Sequence, residues 1–589
     1  MINGPVFSAR VASALALDSL GTQAVNMALY RSVFPGINNT AQYIRVYSAL
    51  AWMVARIDAV AVERGATAAE AKEIATRGMQ KMELLLSWAN VLHGVRGMPG
   101  RFREWPKDDE EDKEVKLRFD TIVNYEQREL VGKPGVTFDA GPHFLTAPEY
   151  RPSAVAGLGF LVANPDNAST WALLPAGAAL AKAFQAMLDK SGHPLGAWLA
   201  DPTDVVTTRT KVRSLWDPVL NVREATEGER EAFLAQYFPP PGHTPLNAPR
   251  WKHRHDGILL ALRAIDASEK EFVEADGFVP VDVVRHVMGS QRTPAGGILG
   301  IDDLRESSGY WASLQSRQYI KLALETFLRL AEFEIHDAVL TDSSRDIREI
   351  AAAIGARAAR QLRGVDASVG DTVDRLTSLR LPDEPLLYRS GMQVAPLSLA
   401  VRIEQLYKAA WSVKARPGER NDDARTRAQA ASALAYEALV YCAMDVEHWA
   451  DVPEFKASLD GDRLSPALLS NLVEEFCDAP VVDLVAHVVE TYVINLHFRV
   501  VRERSEWDRN PRDRFRIVMG DDGLERDLHH QRELASVDIL ADRLQRALNL
   551  LARAGILEQQ GSPGEEDQFK LTDVGRERLQ TSTLEMQTS

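Results

Sequence analysis

Three parts of the chain carry residues whose types and spacing suggest chemistry. His487, Glu490 and His497 fall on roughly one face of a helical pattern, the first look of a metal site. Ten residues of helix, however, separate the two histidines by ~15 Å, too far to share one ion. Partly buried polar groups with partners are the expected role. Asp445, Asp451 and the run Glu454-Phe455-Lys456 echo the carboxylate–lysine arrangement of metal-dependent nucleases. That chemistry needs acid and lysine on a strand so that both reach one metal, and the surrounding pattern is helical. Val131-Gly132-Lys133-Pro134 lacks the first glycine of a phosphate-binding loop and has proline where the helix should begin. Neither HExxH nor GxSxG occurs. No catalytic residue, metal ligand or cofactor is therefore assigned, and the balance leans against an enzyme.

Cationic groups offer a second kind of chemistry. Arg250-Trp251-Lys252-His253-Arg254-His255 contains no acid, and Arg250, Lys252 and Arg254 are the candidate phosphate contacts. Arg499 to Arg516 holds seven arginines, but Glu503, Glu506, Asp508 and Asp513 are interleaved with them. That run reads as a solvated, internally paired helix end. Near the C-terminus, Arg546, Asn549 and Arg553 lie opposite a leucine stripe, with Arg543 beside them. Arg and Asn are the types that reach guanine and adenine edges, so these four are the candidate contacts to DNA or to a partner protein.

The elements that must position these residues are mostly helices. Apolar spacing predicts helices over Ile44 to Val62, Glu70 to His93, Pro175 to Leu188, Asp256 to Ile265, Tyr310 to Leu340, Leu397 to Trp411, Asp422 to Cys442 and Val481 to Arg504. The charged run Lys107 to Glu114 is a solvated loop or helix start, and Pro134 to Pro152 has no clear period. Phe238-Pro239-Pro240-Pro241-Gly242 and Pro382 to Pro385 read as linkers. The expected division is a helical domain over 1–133, a mixed region over 134–245, a helical domain over 246–380, a bundle over 387–504 and a module over 505–589. The fold class is mainly α and multi-domain.

Composition sets limits on function. A chain of 589 residues exceeds one core, and 45% apolar with 26% charged residues is ordinary for globular protein. A net charge of −15 opposes a surface coated in nucleic acid but allows a local basic patch. Two cysteines exclude a disulfide scaffold and a cysteine-based zinc site. The start MINGPVFSAR has no signal-peptide pattern, and charges interrupt the apolar stretches before ~18 residues, so a cytoplasmic protein without a membrane span is expected.

In the C-terminal module, Val537, Leu540, Leu544, Leu548 and Leu551 form the stripe of one amphipathic helix, and Gly555 suits its end. Ile556 to Gln559 and Gln568 to Leu571 read as strands flanking an acidic turn, and Thr572 caps a last helix. Helix, hairpin wing and helix in this order, with LLARAGIL…FKLTDVGRERL, resemble the winged-helix family, which implies binding of DNA or of protein. The run Phe34-Pro35-Gly36-Ile37-Asn38-Asn39-Thr40, then Ile44-Arg45-Val46-Tyr47-Ser48 and Trp52, resembles a group of large bacterial proteins encoded beside restriction or phage-defence genes. Tyr150 to Leu158, Trp311 to Glu325 and Tyr492 to Phe515 fit the same group. The resemblance implies an anti-phage scaffold or sensor working with other defence proteins. A nuclease-type effector and a winged-helix transcriptional regulator are the alternatives.

Overall fold

The computed structural model describes residues 19–38, 41–99, 110–118, 150–164, 170–362, 367–378, 398–414, 422–456, 463–505, 515–527, 533–561 and 567–588. Asn39, Thr40, Val131 to Pro134, Pro382 to Pro385, Trp507 and residues 562–566 of the acidic turn lie outside them. The chain is mainly helical and separates into two units, each made of two stretches of sequence. One, the split unit, comprises residues 31–284 and 542–589; the other, the inserted unit, comprises 285–541 with 1–30. The expected boundaries after 133, 245, 380 and 504 coincide with none of these. Prolines and polar runs mark local turns, whereas a unit that the chain leaves and re-enters has no local signature.

In the split unit, α1 (Ile44–Glu63) is buried along most of its length and packs on α2 (Ala68–Leu92) and α3 (Pro175–Ser191). Thr67 and Glu70 form a reciprocal capping box that starts α2, and Gly94, at φ +69°, follows its end. Pro175 opens α3 and left-handed Gly192 closes it. Helix α4 (Glu227–Tyr237) supplies Glu229, which caps its own N-terminus and meets Arg45 at 2.8 Å. Both members of that pair are buried, at 1% and 0% exposure. Such burial is tolerable only with every donor placed, and Arg45 also donates to the carbonyls of Pro218, Val219 and Glu224.

The N-terminal signature is a structural clasp in this unit. Gly36 is left-handed (φ +84°), and a Cβ on Gly157 would lie 2.4 Å from the Gly36 Cα. Ser153 Oγ donates to the Gly36 carbonyl at 2.7 Å and shares a 2.8 Å hydrogen bond with Tyr47 Oη. Helix α5 (Trp251–Glu269) follows, then the short strand β1 (Val279–Pro280) and α6 (Val281–Ser290), in which the chain passes from one unit to the other.

The inserted unit is built on α7 (Arg305–Thr341), a 37-residue helix buried from Ser307 to His336. Around it pack α8 (Ile347–Gln361), α9 (Ser398–Ser412) and α10 (Asp422–Met444). Two further helices, α11 (Val481–Val488) and α12 (Asn495–Ser505), are joined by a π turn over Val489–Ile494. The stretch Val481–Glu503 is long and apolar enough to cross a membrane by length and composition, contrary to expectation, because charges are sparse in it. Half of its most apolar window is buried, and α11 packs against α8, which is also the behaviour of a core helix. A hairpin of β2 (Ile517–Gly520) and β3 (Gly523–Arg526) follows.

Residues 533–541 form neither helix nor strand, which corrects the expectation that Val537 and Leu540 belong to the leucine-striped helix. The reason lies in α7. Lys321 Nζ donates to the Asp538 carbonyl at 2.8 Å, and Glu325 accepts the Asp538 amide at 3.1 Å. Arg329 donates to the carbonyls of Leu534 and Ala535, and Glu332 accepts the Ala535 amide. Trp411 adds a bond to the Val537 carbonyl at 2.9 Å. With its peptide groups so occupied, the segment has no use for an intrahelical ladder.

The chain then returns to the split unit as α13 (Leu544–Arg553), β4 (Leu557–Gln560), β5 (Gln568–Leu571) and α14 (Asp573–Thr588). The hairpin register pairs Leu557 with Leu571 and Gln560 with Gln568. β5 also pairs with β1, Val279 opposite Phe569, so the antiparallel sheet order is β1-β5-β4. Thr572 accepts the Gly575 amide at 3.0 Å, capping α14 as expected.

Candidate functional site

Helix α13 carries the residues that the sequence singles out, and its surroundings decide what they can do. Leu544, Ala547, Leu548, Leu550 and Leu551 are buried, as the stripe requires. Asp542, 6% exposed, accepts the Leu544 amide at 3.2 Å, and Arg543 turns the chain at φ +67°. Tyr237 Oη, from α4, donates to the Ala547 carbonyl at 3.1 Å. On the other side, Gln545 donates to Asp567, the residue that leads into β5.

The face opposite the leucines is not solvated. Asn549 is only 7% exposed and its Oδ1 is buried without a hydrogen bond. Arg553 lies over the Tyr43 ring, 5.6 Å from its centroid. Burial lowers the pKa of both Arg546 and Arg553, against the attraction of Asp567 and Tyr43. Tyr43 is 5% exposed and donates to the Arg96 carbonyl at 2.8 Å; burial raises its pKa while Arg553, Arg223 and Arg546 pull it down. Tyr150 Oη, in turn, accepts the backbone amides of Gln42 and Tyr43. Three arginines thus gather near one phenol whose proton is already committed. The arrangement holds cations against an aromatic ring; it contains no nucleophile paired with a base.

No protein-family model matches the chain, and no curated protein or solved structure is similar to it.

Among the remaining candidates, Arg250 and Lys252 are exposed on the first turn of α5 and beside it. Arg254 is corrected. Its guanidinium donates to the carbonyls of Tyr237, Pro35 and Gln236 at 2.9, 2.9 and 2.6 Å, and it is fully buried, so it is closed to a phosphate from solvent. A cation this deep needs such partners, and burial still pulls it down to about 10. His497 is likewise a core residue, at 0% exposure. Its Nδ1 meets the Ser19 carbonyl at 3.2 Å and its Nε2 accepts the Arg516 amide at 3.2 Å; burial lowers its pKa to about 4, against the Ser19 bond, which favours the charged form. Asp451 pairs with Arg305, and Pro453–Lys456 is a helical turn, not a strand. Among the described residues no group of three His, Cys, Asp or Glu side chains could hold a metal.

Sequence reasoning missed Tyr43, Tyr150, Arg223 and Tyr237, because a tyrosine in an apolar run is indistinguishable from any other core aromatic. It missed the buried charges of α7 for the opposite reason. Lys321, Glu325, Arg329 and Glu332 look like a solvated face, yet none exceeds 8% exposure.

Proposed function

We propose that the protein is a non-catalytic scaffold or sensor in the cytoplasm, and that its split unit contains a discontinuous winged helix that contacts a partner protein. The observation that carries this reading is the element order. Helix α5, strand β1, helix α6, helix α13 and the hairpin β4–β5 follow one another as the parts of a winged helix do, and β1 pairs with the second wing strand, β5. Residues 291–541, most of the inserted unit, stand in the chain between the second and third helices of that order. The placement of the protein among bacterial anti-phage components rests on the resemblance of its N-terminal run.

A partner protein is favoured over DNA because α13, in the position of a recognition helix, keeps Asn549 buried and Arg546 and Arg553 half-buried. Reading base edges requires side chains free to enter the groove. Val273, Val574 and Leu584, 73%, 60% and 62% exposed, offer apolar contact on and beside α5 and α14.

Mobility-shift assays with the purified full chain test the choice. The expected result is weak, salt-sensitive retention of duplex DNA that is unchanged in Arg546→Ala and Arg553→Ala. Sequence-selective retention lost in both variants would replace the partner reading with a DNA-reading one. In cells, Val273→Asp with Val574→Asp should remove a copurifying protein of defined identity and phage protection together; protection that persists without any partner counts against a scaffold.

A further inference from the structure

A cleft in the inserted unit has a wall chemistry that the scaffold reading does not use. Thr22, Val25, Asn26, Arg317, Ile320, Lys321, Leu324, Arg463 and Leu464 enclose about 290 Å³, mouth included. Much of that space is open solvent, and only about 20 Å³ of it takes the centre of a water-sized sphere, room for one small ion or a single ligand group. Three of the nine lining residues are cations, and none is a carboxylate. Lys321 is 2% exposed and paired with Glu325 at 2.7 Å; Arg463 is paired with Glu503 at 3.1 Å. The Asn26 side chain is 1% exposed, and its amide nitrogen is buried with no hydrogen-bond partner; so is Nε of Arg463.

A buried donor without an acceptor is costly, roughly 1–3 kcal/mol, so two of them lining one cleft mark a place where an acceptor belongs. Ammonium, guanidinium and amide N–H groups all donate. Apolar Val25, Ile320, Leu324 and Leu464 lower the local dielectric and strengthen attraction for an anion. We propose that this cleft binds a phosphoryl oxyanion, either free phosphate or the terminal phosphate of a nucleotide. The inference is independent of the winged-helix reading. It has one mechanical corollary: Lys321 also holds the Asp538 carbonyl, so an occupant drawing on Lys321 acts on the segment 533–541 leading out of the inserted unit.

Isothermal titration calorimetry of the full chain against inorganic phosphate and, separately, ATP, at constant ionic strength, tests the site. Saturable binding is expected, weakened about 10-fold or more in Asn26→Leu and in Arg463→Met, the loss of a charge-assisted hydrogen bond. Binding of phosphate itself identifies the free ion as sufficient, and binding of ATP alone identifies a nucleotide phosphate. Arg463 is partly exposed, so its variant should fold; circular dichroism verifies this, and Thr22→Val serves if it does not. Absence of binding by either probe at millimolar concentration, or binding indifferent to all these variants, overturns the proposal.

Discussion

Helices α7 and α13 each carry charged residues on a face that their sequences present as solvated, and they treat those charges differently. On α7 the charges are buried and saturated: Glu332 meets Arg516 at 2.7 Å and the Ala535 amide, and Arg329 serves three carbonyls. On α13 Arg546 and Arg553 are half-buried beside a tyrosine. The first pattern is one of structural necessity, since a buried charge without partners would not be tolerated. The second leaves the cations adjustable. Full burial with complete bonding fixes a chain path, whereas partial burial over an aromatic ring packs a cation without fixing one.

The largest expected effect comes from breaking the α7 arrangement. Glu332→Ala should cost about 3–5 kcal/mol, because it strands the Arg516 cation and the Ala535 amide together. Hydrogen exchange in urea, followed on peptides covering 533–541, measures it; a loss below about 1 kcal/mol would mean that the network is dispensable. Acid comes next. Burial holds His497 and His286 down to about 4, below the free value of 6.5. The unfolded chain therefore binds more protons between these values, and stability is complete above about pH 6.5 and falls as pH drops toward 4. Each histidine contributes roughly 3 kcal/mol to that fall, and His497→Gln should flatten the melting-temperature profile across this window.

Smaller effects probe α13. Arg553→Ala should destabilise the split unit by about 0.5–2 kcal/mol, the range of a partly desolvated cation–π contact, with no change in exchange of the inserted unit. A loss as large as that of Glu332→Ala would erase the distinction between the two helices. Smallest of all, Lys252→Ala should stay within about 0.5 kcal/mol in thermal melts, being exposed two residues from the buried Arg254.

Much of the helical framework was legible in advance. Periodicity placed α1, α2, α3, α7 and α10 within a few residues, because apolar residues recur along each at helical spacing, even on α7, which is buried all round. The strands β4 and β5 and the Thr572 cap were legible from turn chemistry. The overrun of α13 back to Val537 was not avoidable by pattern alone: Val537 is indeed buried, but in non-helical backbone whose carbonyl accepts from Trp411 of α9. The two-part units were equally hidden, since β1 and β5 are nearly 290 residues apart in sequence. Arg254 illustrates the site's limit. A basic run with no acid looks like a phosphate patch until one member proves to be bonded to three carbonyls.

The grip of α7 on residues 534–538 also works as a ruler. Lys321 and Glu325 engage Asp538, while Arg329 and Glu332 engage Leu534 and Ala535, so the two segments run in opposite directions. The pairs Lys321–Glu325 and Arg329–Glu332 are centred about 11 Å apart along α7 by helix rise. Each pair supplies one donor and one acceptor, and so takes a carbonyl and an amide of the gripped segment together. A slip of the segment along α7 would break both sets at once. The place of residues 534–538 along the helix is thereby fixed.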